Sequence, residues 1–115
     1  MDIEFYRTYC LSKNGVTEDF PFDENVLVFR VGGKIFSLCD VNEFVSINLK
    51  CDPEKAVEYR EKYYGVRPGY HMNKKHWNTI ETSGDVPRKV LLELVDHSYD
   101  LVFSSLPKKQ RESLL

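Results

Sequence analysis

Hydrophobic and polar positions along this chain follow two periods, and the switches between them mark the elements. Residues 2–13 keep the helical period: Ile3, Phe5, Tyr6, Tyr9 and Cys10 fall within a ~160° arc, Asp2 can cap the start, and Asn14-Gly15 tolerates the left-handed stop. Residues 16–25, VTEDFPFDEN, have no period and read as an acidic connection, with Pro21 stiffening the chain between Phe20 and Phe22. The next run, NVLVFRVGGKIFSLCD, predicts a hairpin about Gly32-Gly33, a pair suited to a two-residue turn with positive φ. An unbroken register places Val31 opposite Lys34, Phe29 opposite Phe36 and Leu27 opposite Leu38 on a mainly apolar face. Val28, Arg30, Ile35 and Ser37 then take the other face. Residues 45–51 alternate, with Val45, Ile47, Leu49 and Cys51 inward and Ser46, Asn48 and Lys50 outward.

Asp52-Pro53 opens a second helix, running to about Tyr63 and ending near Gly65; Ala56, Val57 and Tyr59 are its inward candidates, and its charges read as helix-face pairs. A strand is predicted over 76–82, with residues near 70–72 able to pair as well. Ser83-Gly84-Asp85 makes a turn, and a long helix follows over 87–105, carrying a stripe of Leu91, Leu94, Val95, Tyr99, Val102 and Leu106. Pro107 ends it, and the tail KKQRESLL reads as frayed. This order predicts an α+β fold, an antiparallel sheet with helices packed on one face, in one domain over residues 1–115.

Composition sharpens the class. At 115 residues and 42% hydrophobic content the chain can build a core without metal or disulfide staples. No run approaches the ~18 apolar residues of a membrane span, and the acidic start, MDIEFYRTYC, is unlike a signal peptide. Three widely spaced cysteines, Cys10, Cys39 and Cys51, offer no zinc or redox pair and read as small buried hydrophobes; the expected location is a reducing cytoplasm. The net charge of −2 argues against a strongly cationic nucleic-acid binder. Yet residues 1–25 carry six acids against two bases, and residues 67–115 eight bases against six acids, so a polyanion would meet the C-terminal half.

Catalytic signatures are missing: no nucleophile elbow, Walker loop or dinucleotide fingerprint occurs, so no catalytic residue, cofactor or metal site is assigned. His97, at helical spacing from Glu93 and Asp100, reads as a solvated surface residue. His71 and His76 fall on opposite faces of a continuous strand and make half a zinc site even across a turn. The densest polar chemistry is GYHMNKKHWNTI, residues 69–80. Arg67, Lys74 and Lys75 suit phosphate, Tyr70 and Trp77 suit base stacking, and Asn73 and Asn78 suit base edges. The same residues suit a structural role: a core tryptophan, asparagines satisfying a turn, and lysines that discourage edge pairing.

GVTEDFPF, VFRVGGKIF, LKCDPE, RPGYHMNKKHWNT and LVDHSYDLVFSSLPKK, in that order, resemble the MmcQ/YjbR family of small bacterial proteins, GYHMNKKHWNT being the most specific block. The resemblance implies a CyaY/frataxin-like fold and a non-enzymatic DNA-binding domain with a double-wing motif. The wings would be the Gly32-Gly33 hairpin and the region from Asn73 to Trp77. On that reading Arg67, Asn73, Lys74, Lys75, His76 and Trp77 contact DNA, Arg30 and Lys50 extend the surface, and the chain is a monomer that binds no membrane. The alternative is a protein- or small-ligand-interaction domain with no nucleic-acid role. The frataxin likeness also raises iron on the acids Asp2, Glu4, Glu18, Asp19, Asp23 and Glu24, which have no chelating spacing.

Overall fold

The computed structural model describes residues 1–70 and 72–115. Among these residues four helices and six strands follow in the order α1 (Ile3–Leu11), β1 (Val16–Asp19), β2 (Val26–Val31), β3 (Lys34–Asp40), β4 (Ser46–Lys50), α2 (Pro53–Lys62), β5 (Val66–Pro68), β6 (Trp77–Glu81), α3 (Arg88–Ser104) and α4 (Lys108–Leu114). The strands form one antiparallel sheet in the order β1-β2-β3-β4-β6-β5. The expected α+β fold is therefore the observed one. The apolar stripe of α3 lies across β2, β3 and β4, burying Leu91, Leu94, Val95 and Val102 against Phe29, Phe36, Ile47 and Leu49. The caps form as the sequence suggests: Asp2 accepts the Phe5 amide at 2.9 Å and Asp52 the Lys55 amide at 3.3 Å.

The hairpin corrects the expected register. Its turn forms as predicted, with Val31 opposite Lys34 and Arg30 opposite Ile35, but the ladder shifts between Phe29 and Arg30, so Phe29 faces Ser37. Such a bulge sets two residues of one strand against one of the other. Phe36 stays on the helix side, edge-on to Tyr99, while every residue beyond it changes face. Ser37 points inward, fully buried, with its hydroxyl 2.6 Å from that of Tyr6. Leu38 moves to the face away from the helices. Ser98 of α3 donates to the Phe36 carbonyl at 2.6 Å and accepts from the Lys50 amide at 2.9 Å, so the disturbed ladder leaves neither group unsatisfied.

Other departures share a cause in contacts distant along the chain. Residues 16–19, expected in a connection, form edge strand β1 on β2; four residues with two acids carry no readable alternation, and the acids suit an exposed edge. Val45 is exposed, because β4 begins one residue later. Val57 is exposed too, leaving Ala56 as the buried residue of α2. The second pairing segment is residues 66–68; of the expected segment near 70–72, Tyr70 and Met72 fall outside any strand and His71 lies outside the described residues. The C-terminal tail is a helix: Gln110 donates to the Gly32 carbonyl at 3.1 Å, and Leu114 covers Gly15. At Gly32, φ is +59° and a Cβ would sit 2.6 Å from Leu106, so glycine is required there by conformation and space together.

Candidate binding surfaces of the sheet

Strand direction sorts the chain's charges. The β2–β3 turn and the β5–β6 connection leave the same end of the sheet, three strand spacings apart, which is about 14 Å. Lys34, Lys50, Lys74 and Lys75 lie at that end. The opposite end receives the β1–β2, β3–β4 and β6–α3 connections and collects Asp23, Glu24, Asp40, Glu43 and Asp85, while the β4–α2 connection leaves the lysine-bearing end and places Asp52 there.

The β5–β6 connection is held by its own backbone. The Gly69 amide donates to the Trp77 carbonyl at 2.8 Å, and a Cβ at Gly69 would meet that of Trp77 at 2.8 Å. Asn73 spends its side-chain oxygen on the amides of Lys75 (2.9 Å) and His76 (3.3 Å), making a turn of the kind asparagine favours. Arg60 of α2 reaches under the connection. Its Nε donates to Asn78 Oδ1 at 2.6 Å, and one Nη donates to the carbonyls of Lys74 and of Trp77, the latter at 3.3 Å. Asn78 is buried, so its side chain serves the core and reads nothing outside.

Of the residues expected to contact DNA, this arrangement brings together Asn73, Lys74, Lys75, His76 and Trp77, with Lys50 directly across from Trp77. Lys75 is exposed and makes no ion pair among the described residues, while Lys74 leans over the Gly69 carbonyl at 3.3 Å. His76 and Trp77 are half-buried. Two cations stand apart. Arg67 turns to an ion pair with Glu81, and Arg30 pairs with Asp19 at 2.9 Å and donates to the Gly33 carbonyl. His71 lies outside the described residues. Arg60 was invisible in the sequence, since its partners lie 14 to 18 positions away and its neighbours read as an exposed charged face.

His97 is not the solvated residue its spacing suggested. It is half-buried, and its Nε2 accepts the Asp52 amide at 3.1 Å, tying α3 to the start of α2. Burial first, then nearby Lys55, hold its pKa below the usual histidine value. The three cysteines are buried, and desolvation pushes their thiols up, to about 12 for Cys10 and Cys39 and about 11 for Cys51; such thiols are poor nucleophiles. Among the described residues no cluster of three or more potential ligands could hold a metal ion, and no helix is long and apolar enough to cross a membrane. Of the acids considered for iron, Asp2 caps α1, Glu18 pairs with Arg7, and Asp23 accepts the Asn25 amide at 2.8 Å.

The face of the sheet away from the helices holds a cavity of about 460 Å³. Its floor is Ile35, Leu38 and Asn48; Phe22 walls one side, and Tyr70 and Met72 the other.

Comparison with known proteins agrees with this architecture. A model of the YjbR family matches residues 11–101. The uncharacterised protein YbdF of Escherichia coli O157:H7 is 37% identical over 94 residues, covering 81% of this chain and 77% of its own. The uncharacterised protein YjbR of Escherichia coli K12 is 31% identical over 116 residues, covering 100% of this chain and 98% of its own. The crystal structure of Deinococcus radiodurans DR2400, a DUF419 domain, superposes with a TM-score of 0.92 at 37% identity, over 98% of this chain and 87% of its own. A Pseudomonas syringae protein superposes at 0.74 with 28% identity, over 89% of this chain and 99% of its own.

Proposed function

The chain belongs to the YjbR family, and from that premise we propose that it is a non-enzymatic DNA-binding domain whose contact surface is the lysine-bearing end of the sheet. One observation carries the reading: two hairpin connections leave the same end about 14 Å apart, with Lys34, Lys50, Lys74 and Lys75 around them. Two tips at that separation suit contact with phosphates on either side of a groove, because the major groove is ~12 Å wide. Trp77 and His76, beside the lysines, are the groups placed to touch sugar or base. Arg67 and Arg30 contribute little, since each already pairs with a carboxylate.

Titration of labelled duplex and single-stranded DNA at several salt concentrations tests this. Four phosphate contacts imply that affinity falls roughly 150-fold between about 50 and about 200 mM salt. The Lys74→Ala/Lys75→Ala variant should bind more weakly and lower the salt slope by about 2, whereas Arg67→Ala should bind as the parent does. Absence of saturable binding at low salt, or a lysine-pair variant that binds unchanged, rules the reading out. A second reading is a small-ligand domain with no nucleic-acid role, and the cavity supports its small-ligand part.

A further inference from the structure

We infer that the cavity on the open face of the sheet is a binding site for a compact, ring-bearing amine. The inference rests on the cavity and on the small-ligand part of that second reading; none of the lysines at the sheet end lines it, so it is independent of whether the chain also binds DNA.

Its size falls within the span of small-molecule sites. Its apolar floor is a product of the bulge: an unbroken register would turn Leu38 inward and set Ser37 here instead. The aromatic walls come from two separate connections. Phe22 is 67% exposed, so its ring has a large area still to cover, and Tyr70 brings a second aromatic side chain to the lining. A flat ligand lying between two such rings gains stacking contact as well as burial.

Polar groups gather at the end formed by Asp40, Ser46 and Asn48. Asn48 is fixed, because its side-chain oxygen accepts the Thr79 hydroxyl at 2.5 Å. Asp40 accepts the Asn42 amide at 3.1 Å through one carboxylate oxygen and has no ion pair among the described residues. It is the one acidic or basic side chain among the described lining residues. A carboxylate beside aromatic faces attracts positive charge twice over, by direct pairing and through the ring quadrupoles. The same carboxylate repels phosphates and carboxylic acids.

Three probes that share a ring system and differ in charge test the assignment: naphthylethylamine, naphthylethanol and naphthylacetate, followed by amide chemical shifts of the full chain. The amine should move the amides of Leu38, Ser46 and Asn48 and bind about tenfold or more tightly than the acetate at low salt. Asp40→Asn should erase that preference while keeping affinity for the alcohol, and Ser46→Phe should fill the space and abolish binding of all three. Equal or tighter binding of the acetate, or a preference that survives Asp40→Asn, overturns the choice of ligand while leaving a small-ligand site. No probe shifting these amides at millimolar concentration overturns the site and the small-ligand reading together. The shift map of the parent chain decides location even if the Ser46 variant fails to fold.

Discussion

Arg60 links the helix layer to the surface connection that carries the lysines. Its guanidinium meets a buried asparagine and two main-chain carbonyls, three acceptors that one planar fork can reach and a lysine cannot. Arg60→Ala leaves Asn78 Oδ1 without its donor in a buried position, which costs about 2–3 kcal/mol. Urea denaturation should show that loss, Arg60→Lys should recover less than half of it, and Trp77 emission should shift to the red as the connection loosens. A change in stability below about 0.5 kcal/mol would mean that the connection holds itself. The site was partly legible at this scale. Asn73 and the lysines stand where the turn chemistry put them, because an asparagine turn is set by its own neighbours. Arg60 and Asn78 were not legible, since their pairing depends on where α2 packs.

Elements set by a local period were the readable ones. The three long helices and the strands of the central hairpin fall within a few residues of expectation, whereas β1 and α4 are held by partners far along the chain. The bulge belongs with these: nothing local marks it, yet Ser98 on α3 satisfies the carbonyl it frees. His97 is a similar tie between elements and makes one pH-dependent. Its neutral Nε2 accepts the Asp52 amide, and the protonated ring cannot accept. Because folding depresses its pKa, the unfolded chain takes up the proton first. The stabilising contribution is therefore fully present above the ordinary histidine value near 6.5 and is lost as pH falls below it through the folded value. Lys55 adds to the depression, while Asp52 and Asp100 oppose it. The urea midpoint of the parent chain should fall between about pH 7 and about pH 5 more than that of His97→Gln, whose side chain does not titrate there. Parallel curves for the two proteins would remove His97 from the account.

Across the whole molecule the same topology that builds the core divides the charge. Antiparallel strands in the order β1-β2-β3-β4-β6-β5 send the Gly32-Gly33 turn and the β5–β6 connection one way, and the connections bearing Asp23, Glu24, Glu43 and Asp85 the other. A net charge of −2 hides this division, and the segment totals only hint at it, because position along the strand decides which end a residue reaches. A body whose sheet lysines gather at one end and whose loop carboxylates gather largely at the other is turned by the field of a polyanion before contact, so it should engage in one orientation. Hydrogen exchange of the full chain, with and without saturating duplex at low salt, reads that orientation directly. Amides at 33–34 and 74–76 should slow, and those at 40–46 should keep their free rates, since like charge holds that end away. Equal slowing at both ends would mean that the chain's charge division does not steer it, and slowing confined to 40–46 would reverse the assignment of the contact surface.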